Sequence, residues 1–100
     1  MIVIRVAVKV KPENKADFVQ QIKQEMIEVK QKFDGCERYA LYTDITNEDQ
    51  MLLYEEWQSQ ANFDTYTSSD YFKKNGEKLF PMMAEPPEAA YFDAALIPQQ

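Results

Sequence analysis

The stretch "YEEWQSQANFDTYTSSDYF" (residues 54–72) reads as a strand that runs straight into a helix. Its first part closes the segment "QMLLYEEW" (50–57), rich in apolar and aromatic residues and bounded by polar ones, as a strand requires. Ser59 then stands where a helix N-cap belongs, because its hydroxyl can accept from a backbone N–H of the coming turn. That helix carries Phe63 and Tyr66, and Ser69 offers a second cap just before Tyr71 and Phe72. Trp57, the single tryptophan of the chain, sits at the joint. The rings around it can pack a corner of the core, or line a slot for a flat molecule.

Working outward, "CERYALYTD" (36–44) is a second strand, and "ITNED" supplies the polar turn of a slightly long hairpin. In "MIVIRVAVKV" (1–10), Ile2, Ile4, Val6, Val8 and Val10 alternate with Val3, Arg5, Ala7 and Lys9. This period of two gives one wholly apolar face and one mixed face. Pro12 stops the strand and suits the first turn of a helix. Phe18, Ile22, Met26, Val29 and Phe33 then step by helical spacing along one stripe, and Gly35 fits the left-handed residue that ends helices. Downstream, Phe72, Leu79 and Met83 mark one side of a further helix, which Gly76 weakens and Pro81 ends. "AEPPE" (84–88) is a stiff connector, and "AAYFDAALI" (89–97) a last strand. Residues 1–97 are expected to form one domain, with 98–100 a short C-terminal tail.

The order β-α-β-β-α-β predicts an α+β, ferredoxin-like fold. Strands one and three are central in its antiparallel sheet, and the helices share one face. The other face has no cover; Arg5 and the Glu55/Trp57 row of the third strand are expected on it. A half-apolar sheet left open is best covered by a second copy, so a homodimer is expected.

One hundred residues are enough for a single core. Eleven basic against seventeen acidic residues leave a net charge of −6, and such a surface repels phosphate backbones. Nucleic acid is therefore not an expected partner. No apolar run is long enough to span a bilayer, so no membrane partner is expected either. The N-terminal apolar stretch contains Arg5 and Lys9 and lacks a small-residue cleavage site, so it is not read as a signal peptide. Cys36 is the only cysteine, which suits a reducing, cytoplasmic setting. The chain has no histidine, which removes Ser–His and Cys–His couples and histidine-ligated zinc or haem.

Four segments, "VKVKPENKADFVQQI", "DGCERYALYTD", "LLYEEWQSQANFDTY" and "MMAEPPEAAYF", together resemble the antibiotic biosynthesis monooxygenase (ABM) family over residues 2 to about 93. The resemblance implies a dimeric α+β barrel. The family includes cofactor-free quinone-forming monooxygenases, a quinol monooxygenase, an autoinducer-2 processing protein and haem-degrading enzymes, and the fold by itself does not choose among them. Many members read H-x-x-S-x-H-F after the third strand. Here that stretch is "YTSSDYF" (66–72), so Tyr66 and Tyr71 replace both histidines. The haem-degrading branch takes an iron ligand from a histidine near the position of Gly76, and no histidine exists to serve.

What the resemblance implies is a cofactor-independent monooxygenase that oxidises a small phenolic or quinol compound with O2 to a quinone. The substrate supplies the electrons: its anion reduces O2, the radicals recombine, and the peroxide collapses. The alternative on the same scaffold is a non-oxidative isomerase of small carbonyl compounds, or a ligand-binding stress protein. Trp57 is a candidate catalytic residue, since its N–H can donate to an oxyanion while its face stacks on a ring; equally, it can seal the core. Tyr66 and Tyr71 can donate or relay a proton, although an ordinary phenol near pKa 10 is a poor base. Arg5, Asn62, Phe63, Phe72 and Met83 are candidate substrate-binding residues. For each there is a plainer role: Arg5 pairing with Glu55 across the sheet, Asn62 in solvent, the others in the core. Glu55 and Glu56 point to opposite faces, so they are no catalytic pair, but one of them, partly buried, can serve as a base.

Overall fold

The computed structural model describes residues 1–99. Its strands are β1 (Ile2–Lys9), β2 (Cys36–Asp44), β3 (Asn47–Trp57) and β4 (Glu88–Asp93), and its helices α1 (Lys15–Lys32), α2 (Gln60–Thr67) and α3 (Asp70–Leu79). One sheet in the order β2-β3-β1-β4, antiparallel throughout, carries the helices on one face. This is the α+β, ferredoxin-like arrangement expected of the element order.

Register follows from the apolar row of β1. Ile2, Ile4, Val6 and Val8 face Trp57, Glu55, Leu53 and Met51 of β3, so these positions lie beneath the helices. The Glu55/Trp57 row is therefore on the covered face, not the open one as expected from sequence. Both residues are buried, Trp57 completely. Arg5 is opposite Tyr54 on the other face, so it is not the partner of Glu55. A slip of one residue would have exchanged the two faces, and only the pairing decides it.

Both serine caps form: Ser59 accepts from the Asn62 N–H at 3.2 Å and Ser69 from the Phe72 N–H at 3.1 Å. The α3 helix stops at Leu79, next to the turn holding Pro81. Two boundaries differ from the sequence reading. The β2–β3 connection is tight, because Asp44 already pairs with Asn47. The Asp44 carboxylate accepts from the Thr46 N–H at 2.8 Å and its hydroxyl at 2.6 Å, which shapes the turn. β4 ends at Asp93 and does not reach residue 97, because Asp93 is already opposite Ile2, the start of β1. Past that point only one ladder bond follows, from the Ala94 N–H to the Met1 carbonyl.

Gly35 joins α1 to β2 at φ +89°, where its carbonyl accepts from the Gln58 N–H at 2.8 Å. A Cβ placed there would lie 2.5 Å from the Asn62 side chain. Backbone conformation and close approach thus both require glycine. We expect Gly35→Ala to lower stability by about 1–3 kcal/mol in urea unfolding; an unchanged midpoint would contradict the strain argument.

Candidate ligand cavity

Beneath the helices the sheet does not fill its space. A cavity of about 210 Å³ lies between β1, β3 and β4 and the three helices. Its walls are mostly apolar, with Ile4, Val6, Val8, Phe18 and Ile22 among them. Phe72, Phe80 and Tyr91 also line it and are 39%, 58% and 62% exposed, so their rings form its mouth.

The polar groups in the walls are few. Glu55 and Glu25, on β3 and α1, are 4% and 2% exposed, and neither makes an ion pair among the described residues. Glu55 Oε1 accepts from the Trp57 indole N–H at 2.9 Å, while Oε2 has no protein partner among the described residues. Burial in this apolar setting, opposed by the indole hydrogen bond and reinforced by Glu25, lifts the Glu55 pKa from 4.5 to about 7. Glu25 accepts from the Tyr39 hydroxyl and from Gln21 Nε2, each at 3.0 Å. Desolvation raises its pKa too, with those hydrogen bonds opposing. Tyr39, directly across the ladder from Glu55, and Tyr66 are pushed upward by burial and by both carboxyls. Neither phenol ionises at neutral pH. The cavity therefore presents two carboxyls whose pKa values are raised, Glu55 to about 7, and two neutral phenols.

Of the residues expected from sequence, Tyr66, Phe63, Phe72 and Met83 line the cavity. Trp57, Tyr71, Arg5 and Asn62 do not. Trp57 stacks on Tyr66 with ring centroids 5.0 Å apart, and its N–H, expected to meet an oxyanion, is held by Glu55. The tryptophan acts behind the wall. Tyr71 packs against Phe33 and donates to Glu28 at 3.4 Å, outside the cavity, and burial raises its pKa to about 12. Arg5 lies on the open face, exposed, and Asn62 packs beneath Gly35, receiving the Ser59 hydroxyl at 2.7 Å.

Sequence reasoning missed Glu25, Tyr39 and Asn75. Glu25 had left a signal: it is three residues past Ile22 and four before Val29, so a charge sits on the buried stripe of α1. Tyr39 lies on the covered face of β2 by simple alternation. Asn75 is buried in α3, its Nδ2 without a partner among the described residues, and nothing local marks it.

The profile of the antibiotic biosynthesis monooxygenases matches residues 1–78. The chain belongs to this family. The protein sll1783 of Synechocystis is 32% identical over 94 residues, which is 94% of this chain; the chain spans 63% of that relative's length. A Caulobacter crescentus structure assigned to antibiotic biosynthesis monooxygenase superposes with a TM-score of 0.89 at 29% identity, covering 95% of this chain and 90% of that one. A conserved protein of Methanosarcina mazei gives 0.83 at 27%, covering 91% and 89%. ABM membership accounts for the fold. Among the described residues, no helix is long and apolar enough to cross a membrane.

The Glu55 shift makes a stability prediction with a fixed sign. A carboxyl whose folded pKa is raised binds its proton more tightly in the folded state, so it destabilises above about pH 7 and ceases to do so as pH falls towards 4.5. The full effect is about 3 kcal/mol. Glu55→Gln keeps an acceptor for Trp57, so it should be the more stable protein at pH 8, with the difference vanishing by pH 4.5 in parallel melts.

Proposed function

We propose that this protein is a cofactor-independent monooxygenase that oxidises a small phenolic or quinol compound with O2 to a quinone, with Glu55 as the base. The observation that carries this reading is Glu55 itself: a buried carboxyl lining an apolar cavity, lifted to about 7, with Oε2 free of protein partners among the described residues. A general base works best when its pKa lies near the operating pH. Here burial supplies that tuning without histidine.

The reaction from a phenol to a para-quinone consumes one O2 and releases one water. Glu55 takes the phenolic proton as the ring passes an electron to O2, which leaves a neutral phenoxyl radical and superoxide. The negative charge has moved from the carboxylate to oxygen, so the cavity carries no more charge than before. That matters, because the field that keeps Tyr39 and Tyr66 protonated also disfavours a standing phenolate. Superoxide then bonds to the para carbon, and the Glu55 proton passes to the distal oxygen. In the last step Glu55 removes the ring C–H proton while the O–O bond breaks, and the departing hydroxide takes the proton as water. The protein's part is to exclude water, hold the ring against Tyr66, Phe63 and Phe72, and move one proton. Trp57 positions the carboxyl, and Met83 closes the wall.

The same carboxyl also suits proton removal beside a carbonyl, the isomerase reading. Oxygen consumption separates the two. Assembly as a homodimer belongs to the proposal: on the open face, Leu52, Tyr54, Ala40 and Val3 are half-buried and Tyr42 and Phe92 are 44% and 45% exposed, a half-apolar sheet surface that also carries Arg5, Arg38 and Glu56 and is best covered by a second copy. Arg5 and Tyr71 then serve assembly and packing; Asn62 supports the joint. A reducing compartment completes the reading, with Cys36 a thiol that desolvation lifts to about 11 and so keeps protonated.

With a series of phenols unsubstituted at the para carbon, O2 uptake should match quinone formation with no hydrogen peroxide released, and kcat/KM should rise with pH through about 7. Glu55→Gln should lower kcat/KM about a hundred-fold or more. Trp57→Phe removes the donor that holds the Glu55 pKa down, so its acidic limb should move to higher pH. Turnover without O2 uptake, or a Glu55→Gln enzyme of full activity, would end the oxygenase reading. Separately, the wild type should elute as a dimer and Leu52→Asp as a monomer; a monomeric wild type would remove the assembly.

A further inference from the structure

We infer that the cavity selects its ligand by charge, taking neutral or amine-bearing aromatics and rejecting carboxylated ones, with Glu25 and Glu55 as the specificity-determining residues. This rests on the cavity being the ligand site, as proposed above, but not on its reaction. Two carboxyls line one cavity, and among the described residues no lysine or arginine lines it with them. The groups facing them are acids, phenols, a thiol and amides: Glu28 and Gln21 on α1, Cys36 and Tyr39 on β2, Tyr66 on α2, Tyr71 and Asn75 on α3. The one cation acting on Glu25 is Lys78, and it lies exposed on α3 outside the cavity lining. An anion entering this space finds no counter-charge, and loses its hydration.

A ligand with a hydroxyl or ammonium meets the opposite situation. Among the described residues Glu55 Oε2 has no protein donor, and the residue is 4% exposed. A donor placed against it replaces the water that burial removed. The rings of Tyr66, Phe63, Phe72, Phe80 and Tyr91 offer π faces that tolerate a cation and gain nothing from an anion.

The test uses three phenols of nearly one shape: para-ethylphenol, tyramine and para-hydroxyphenylacetate, titrated against the full chain by calorimetry at pH 8. Para-ethylphenol and tyramine should each bind at least about ten-fold more tightly than para-hydroxyphenylacetate, the scale of one uncompensated charge at close range. The gap should narrow in Glu55→Gln and in Glu25→Gln. It should also narrow in the wild type as pH falls from 8 to 5, a measurement that needs no variant. Equal affinity for the carboxylate and the ethyl compound, a gap untouched by either substitution or by pH, or no binding of any of the three would overturn the inference. Charge selection among these three probes, with no O2 uptake from phenols unsubstituted at the para carbon, leaves it standing and removes the oxygenase reading; oxygen-coupled turnover of a carboxylated phenol unsubstituted at the para carbon does the reverse.

Discussion

Two carboxyl groups stand in the interior of this small fold, and among the described residues neither makes an ion pair. Burying an ionised carboxylate is costly, and the usual remedies are an ion pair, a metal or several hydrogen bonds. Glu25 has two neutral donors, Tyr39 and Gln21, while Glu55 has the Trp57 indole and an empty side. The remaining cost appears as a raised pKa in both. Glu55 thereby gains a proton affinity suited to neutral pH, and the fold surrenders stability in the same range. The chemistry proposed for the site and its stability cost have one physical origin.

The aromatic joint that begins at Trp57 divides its work by depth. Trp57 and Tyr66 stack at 20° between planes, and Phe63 meets the Trp57 edge at 5.9 Å, so the inner rings lock β3 to α2. Tyr66 turns its other neighbours outward: Phe72 stands edge-on to it at 5.1 Å and reaches the mouth. Rigidity at the inner end holds the Glu55 carboxyl through the indole N–H. The outer rings stand exposed at the cavity mouth. One run of sequence therefore builds both the support and the entrance.

Much of the architecture was legible in local pattern. The alternation of β1 and the serines ahead of α2 and α3 act through neighbours in sequence and are found as read. On α1, Glu25 is buried on the stripe while Met26 is half-buried, the helix ends before Phe33, and Gly35 keeps a positive φ two residues past that extended C-cap. The assignment of faces on β3 was not legible. "LLYEEW" alternates apolar and acidic residues ambiguously, and Glu55 occupies a buried position that a polarity rule gives to solvent. For the site, the sequence pointed at the right stretch but favoured its largest ring over the acid beside it. Trp57 drew the reading because it is singular, yet its N–H is already spent.

The residues by themselves determined the order of elements, their caps and turns, the absence of imidazole chemistry, and a surplus of acid. These depend on composition and short-range spacing. Only the tertiary structure decided which face of β3 meets the helices, that Glu25 and Glu55 share one cavity although thirty positions apart, and that this space remains open. Ladder register and helix placement set those outcomes together, because the environment that shifts a carboxyl is built from residues distant in the chain. No local window contains it.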